Sequence, residues 1–125
     1  MAKALDIFKD NPLDVIYLDG CLMSTAEVIA EVSPYAQYIV AHENLTWSFF
    51  PYSGYLGNVS AKTSPISLAE NIAKVAEKSW KQGYPVQIDV LNTSKTPGVL
   101  EKLDTLAHVL SDTLGIDRTA INEAA

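Results

Sequence analysis

Cys21 is the only cysteine of the chain, and it follows an apolar run, Val15-Ile16-Tyr17-Leu18, that Asp19-Gly20 interrupts. The run has the look of a strand buried on both faces, and the residues from Leu22 onward read as helix. A thiol at a strand-to-helix turn lies where backbone N–H groups and the helix dipole favour the thiolate, the nucleophilic form. The same position suits an inert thiol, since free cysteine is among the most buried residue types. Spacing alone leaves both readings open. A single cysteine excludes an internal disulfide and any Cys-rich metal site. A phosphatase loop of the Cys-x5-Arg type is excluded because Glu27 stands where the arginine belongs. The two histidines, His42 and His108, both come after Cys21.

Composition narrows the classes further. With 125 residues, 48% of them apolar, there is room for one domain with a real core and not for two. A net charge of −6 without a Lys/Arg cluster argues against nucleic acid and against anionic membrane surfaces as partners. Apolar runs are too short to span a bilayer, and no basic-then-apolar leader opens the chain. No Gly-rich phosphate loop follows a strand, and the acidic trio of a phospho-acceptor site is not evident.

The elements that must position Cys21 can be read in order. Ala4, Leu5 and Phe8 define a short helix over 3–9, ended at Asn11-Pro12. The strand over 14–18 follows, then the Cys21 turn, then a helical stripe of Leu22, Ala26, Ile29 and Val32 that Ser33-Pro34 stops. Gln37 to Ala41 is a second strand. Strand, helix and strand within about thirty residues form a βαβ unit, whose strands run parallel. Residues 42–66 carry no period, but His42 to Tyr55 is unusually aromatic for a loop. Ligand crevices in open α/β sheets lie outside the carboxyl ends of strands, so this loop either flanks the crevice at Cys21 or folds onto its own aromatics. Ser67-Leu68-Ala69-Glu70 reads as a capping box for a helix with Ala69, Ile72, Ala73, Ala76 and Trp80 on one face, ended by Gly83. Val86, Ile88 and Val90 alternate with polar residues, as at a sheet edge. Thr96-Pro97 starts a last helix whose stripe runs Val99, Leu103, Leu106, Leu110 and Leu114, with Gly115 as C-cap. The strand over 14–18 looks central, yet nothing upstream could cover its other side. The expectation is therefore a partial domain, 1–125, of a larger α/β/α sandwich. Its uncovered faces would leave an apolar patch.

Leu18-Asp19-Gly20-Cys21-Leu22-Met23, then Glu27-Val28, then Tyr35-Ala36-Gln37-Tyr38-Ile39-Val40-Ala41 resemble the catalytic-cysteine segment of the clostripain-like (C11) cysteine peptidases, relatives of caspases, legumains and gingipains. Gly54-Tyr55 in the later loop and Leu103-Asp104-x-Leu106-Ala107 extend the similarity to about residues 4–115. The resemblance implies a three-layer α/β/α sandwich of caspase-like type with a mostly parallel sheet, this chain supplying much of the heavy-chain part. It implies a cysteine endopeptidase acting on peptide or protein substrates. Cys21 matches the nucleophile and supplies one oxyanion N–H; Asp19 matches the acidic residue of the S1 pocket that selects Arg or Lys. An N-cap of the following helix is the plainer reading of Asp19. Gly20, Thr46 and Trp47 are expected at the substrate, and His42 as a crevice residue.

One family feature is missing. Relatives carry a His-Gly pair on the strand before the cysteine strand, and this chain has none. The resemblance places that general base on an N-terminal part or companion light chain, so the isolated chain is expected to be inactive. His108 reads as a helix-flank residue. The resemblance also implies a secreted or cell-envelope bacterial protein, with no cofactor unless calcium. A non-catalytic binding module of the same fold, or an unrelated doubly wound α/β domain, remains the alternative.

Overall fold

Ile39-Val40-Ala41 offers no polar residue to face solvent, and the fold buries all three completely. The structure is a computed structural model and describes residues 2–46, 50–80 and 86–114. At its centre lies β2 (Ala36–His42), flanked by β1 (Leu13–Leu18) and β3 (Ile88–Asn92) in the order β1-β2-β3. β1 pairs with β2 in parallel, with Tyr17 opposite Val40 and Leu18 opposite Ala41. The crossover between them is α2 (Ala26–Val32), as a βαβ unit requires. β3 instead runs antiparallel to β2, so the sheet is mixed. The strand expected to be central, β1, is an edge strand within the described residues.

Alternation along β2 sorts the core into two layers. Ile39 and Ala41 face Ile29 and Val32 of α2, joined by Leu13, Ile16, Leu18 and Met23. Val40 faces the other way, toward Tyr55, Ala69, Ile72 and Ala76, with Val15, Tyr17 and Val75 around them. The second layer is carried by α3 (Tyr52–Leu56) and α4 (Pro65–Ser79). Helices on both sheet faces make the three-layer arrangement.

Several boundaries differ from the sequence reading. The first helix splits into α1 (Ala2–Leu5) and a 3-10 turn over Asp6–Phe8. α2 begins at Ala26 rather than Leu22, because Thr25 caps it by accepting a hydrogen bond from the Val28 N–H. α4 is capped three residues before the expected cap Ser67: Ser64 accepts from the Ser67 N–H, and Pro65 occupies the first turn. α3 lies inside the stretch that showed no period; at five residues it is too short to display one. α4 ends at Ser79, so Trp80, expected on its face, is extended backbone just beyond it; Gly83 and Gly115, expected as helix ends, lie outside the described residues.

The last helix, α5 (Thr96–Leu114), starts where Thr96-Pro97 indicated and touches α2. Its stripe is not buried. Val99, Leu103, Leu106 and Leu110 remain 41 to 55% exposed. His108 is exposed on the same helix and lies 3.6 Å from Asp104.

α3 is mounted rigidly on α4. The Asn71 side-chain amide donates to the Tyr55 carbonyl at 2.8 Å and the Gly54 carbonyl at 3.3 Å. A Cβ at Gly54 would stand 2.8 Å from Val75 Cγ1, and a valine side chain has little freedom to move away. Gly54→Ala is therefore expected to destabilise the fold by about 1–3 kcal/mol in denaturant unfolding, despite the better helix propensity of alanine. Adding Val75→Ala should recover part of that loss. A neutral Gly54→Ala would show that the two helices are not held at this distance.

Candidate active site

Asp19, Gly20 and Cys21 emerge from the carboxyl end of β1, where the chain must reverse to reach α2. The reversal is made at Leu22, which adopts φ 57°, a left-handed conformation that costs a leucine about 1–2 kcal/mol. Strain of this kind persists only where neighbouring contacts impose it. Here the Leu22 N–H donates to the Asn44 carbonyl at 3.2 Å and the Ser24 N–H to the His42 carbonyl at 3.0 Å. The returning segment is thus laced to the end of β2. Ser24 adds a side-chain bond, its hydroxyl donating to Asp89 Oδ2 at 2.5 Å, which ties the same segment to β3. Glu43 lies against Asp89, whose negative charge raises the Glu43 pKa.

The lacing brings Thr46 to the thiol. The Thr46 N–H donates to Cys21 Sγ at 3.2 Å, and Thr46 Oγ1 lies 3.2 Å from Sγ. The side-chain and backbone donors of Thr46 lower the Cys21 pKa, the Cys21 N–H assists, and burial opposes them only in part. This corrects the expected cause. α2 starts five residues after Cys21, so a threonine on the neighbouring loop, and not a helix N-terminus, holds the thiolate.

Asp19 is exposed and accepts a hydrogen bond from the Tyr52 hydroxyl of α3 through Oδ2. The Asp19 acceptor raises the Tyr52 pKa, so the phenol remains a donor. Gly20 is half-buried, with Met23 Cε 3.1 Å from the position a Cβ would take. Trp47 lies outside the described residues.

His42 does not join this group. The strand runs one residue further than expected, and alternation turns His42 to the α4 side together with Val40. Its side chain is 1% exposed and stacks on Trp80, the ring centroids 5.3 Å apart and 9° from parallel. Tyr17 Oη lies 2.9 Å from Nε2, while Nδ1 has no hydrogen-bond partner among the described residues. Burial lowers the His42 pKa against the opposing pull of Asp19 and Asp89, so the ring is neutral. It lines the core beneath the site rather than the crevice. Among the described residues no group of three or more His, Cys, Asp or Glu side chains is placed to hold a metal ion.

The sequence reading named Asp19, Gly20, Cys21 and Thr46, but gave Thr46 to the substrate rather than to the thiol. It did not single out Ser24, Asp89 or Tyr52. Only the strong tyrosine content of the loop signalled the last; the others meet through separations no local pattern encodes.

The sequence profile of the clostripain family, peptidase family C11, matches residues 1–123. No protein among the curated ones matches the chain. Among solved structures, a cysteine protease of B. fragilis is similar with a TM-score of 0.59 at 18% identity, over 76% of this chain and 42% of its own. A secreted C11 cysteine protease from Bacteroides thetaiotaomicron, solved with an irreversible peptide inhibitor, is similar with a TM-score of 0.58 at 26% identity, over 76% and 30%. The chain thus spans less than half the length of either solved protein. Among the described residues no helix is long and apolar enough to cross a membrane.

Because Thr46 acts on Sγ through both its amide and its hydroxyl, Thr46→Val should remove the larger contribution and leave the amide's. The midpoint of the rate–pH profile for alkylation of Cys21 by iodoacetamide is expected below the ordinary thiol range in the parent protein. It should move upward in Thr46→Val without reaching the value of a free thiol. Coincident profiles would show that the hydroxyl contributes nothing.

Proposed function

The chain belongs to the clostripain family of cysteine peptidases, and from this we propose that it is the nucleophile-bearing part of an endopeptidase cleaving after basic residues. The observation that carries the reading is the seating of Cys21, its Sγ held by Thr46, two residues from the exposed carboxylate of Asp19. The thiolate, favoured by the Thr46 donors, attacks the scissile carbonyl carbon, and its electron pair forms the C–S bond. The negative charge moves to the carbonyl oxygen, where the Cys21 N–H stabilises it. The Leu22 N–H is already engaged by the Asn44 carbonyl and does not serve. Collapse of the tetrahedral adduct expels the amine, which needs a proton, and water then cleaves the thioester to regenerate the thiol.

The proton comes from a general acid–base group that neither histidine of the chain supplies. His42 is enclosed between Tyr17 and Trp80, and His108 stands on the exposed face of α5. We place that base on a part of the protein outside this chain, either N-terminal in the same polypeptide or on a companion chain. The limited share of the neighbours' length that this chain covers supports such a division. The exposed stripe of α5 fits a further element packed there. The B. thetaiotaomicron neighbour is a secreted protein, and we carry the same localisation to this one.

Asp19 supplies the specificity. A carboxylate beside the nucleophile pairs with the guanidinium or ammonium of the residue being cleaved, by a charge-assisted contact. In the complete peptidase, Asp19→Asn keeps the shape and removes the charge. It should lower kcat/KM for an Arg substrate by about 30-fold, or about 2 kcal/mol. Alkylation of Cys21 by small neutral iodoacetamide should be unchanged. A variant that keeps its preference for Arg would reduce Asp19 to a structural role.

A further inference from the structure

Tyr52 is placed where it controls what Asp19 can do. Its hydroxyl donates to Asp19 Oδ2 across thirty-three residues of sequence. The half-exposed ring is braced by two aromatic neighbours. It stacks on Phe50 at a centroid distance of 5.9 Å, and meets Tyr55 edge-on at 5.7 Å and 89°. Tyr55 is 1% exposed and meets Tyr17 edge-on at 5.4 Å. The backbone beneath is fixed by Asn71 and by the close approach of Gly54 to Val75. A chain of rigid aromatic contacts therefore runs from the core between β1 and α4 to one oxygen of an exposed carboxylate.

An exposed aspartate otherwise rotates about χ1 and χ2, and ordering it costs conformational entropy when a ligand binds. We propose that Tyr52 is a specificity-determining positioning residue, which fixes the plane of the Asp19 carboxylate and so favours Arg over Lys in the S1 pocket. The inference rests on the assignment of Asp19 to that pocket. A guanidinium is a planar fork whose paired N–H groups engage a carboxylate only when both planes are aligned. An ammonium is a compact charge with three rotatable donors and accepts many carboxylate orientations. Fixing the plane thus benefits Arg more than Lys. Occupying one lone pair of Oδ2 leaves Oδ1 and the second lone pair of Oδ2 for the incoming group. The phenol stays protonated beside the carboxylate, so it remains a hydrogen-bond donor to Oδ2.

The opposite role is a shield: a hydroxyl that merely competes with the substrate for the carboxylate. The two roles differ in sign. Loss of a shield raises binding of Arg and Lys alike, whereas loss of a positioning contact lowers Arg selectively. The test measures the second-order inactivation rate of the complete peptidase by two peptidyl chloromethyl ketones that differ only in Arg or Lys at the cleaved position. Iodoacetamide serves as the neutral reference, and Tyr52→Phe and Asp19→Asn are compared with the parent. Tyr52→Phe keeps the ring and its contacts. It should lower the Arg-to-Lys rate ratio by roughly 3- to 10-fold, with iodoacetamide labelling unchanged. An unchanged ratio, a parallel rise of both rates, or a matching fall with iodoacetamide would overturn the positioning role. Asp19→Asn separates the two layers. If it abolishes preference for basic residues while Tyr52→Phe leaves the ratio intact, only Tyr52 is misassigned. If Asp19→Asn keeps the preference, the S1 assignment falls and the role of Tyr52 with it.

Discussion

Everything at this site depends on β2 being pinned along both edges and covered on both faces. Ile39, Val40 and Ala41 are fully buried, and the strand is bonded to β1 on one side and β3 on the other. A strand held in this way has a carboxyl end that cannot drift. Its last carbonyls, at His42 and just beyond it at Asn44, accept the N–H groups of Ser24 and Leu22. Those two bonds impose the left-handed turn at Leu22 and bring Cys21 beside Thr46. The position of the thiol is therefore a consequence of a buried strand, and its lowered pKa is a consequence of that position. The strain at Leu22 is offset by hydrogen bonds whose acceptors are immobile.

The second layer supports the other half of the site. α3 is too short to be stable alone; it exists because Tyr55 fills the core and Asn71 binds its carbonyls. Its exposed end then reaches Asp19 through Tyr52. Asp19 and Cys21 leave the same strand end, yet each is held by a different element, Thr46 from the loop after β2 and Tyr52 from α3. Cys21 and Asp19 can therefore be altered one at a time.

Much of this was legible in the sequence, for identifiable reasons. The apolar runs at 15–18 and 38–41 and the proline-led helix starts are local signals, and they located β1, β2 and α5. The Asp19-x-Cys21-Leu22-Met23 pattern carried the resemblance to the clostripain family, whose profile matches residues 1–123. What failed were properties set by distant partners. Ser67-x-x-Glu70 satisfies the capping pattern, but Ser64 with Pro65 lies upstream and takes the helix start. Alternation in β3 read correctly as an edge, though its direction depends on a connection that carries no such signal. His42 looked like a crevice residue because the strand was ended one position early, and a single residue decides which face a side chain takes. The α5 stripe is a different case: its period reads as apolar, and its exposure agrees with the apolar patch expected of a partial domain.

The central claim is that Cys21, seated against Thr46, is the attacking group. It is tested most directly by reacting the complete peptidase with a peptidyl chloromethyl ketone carrying Arg and locating the adduct by peptide mass spectrometry. The account predicts one adduct per molecule, on Cys21, with loss of cleavage in step with its formation. Cys21→Ser should take up no reagent. An adduct on another residue, or inactivation of Cys21→Ser at the parent rate, would contradict it.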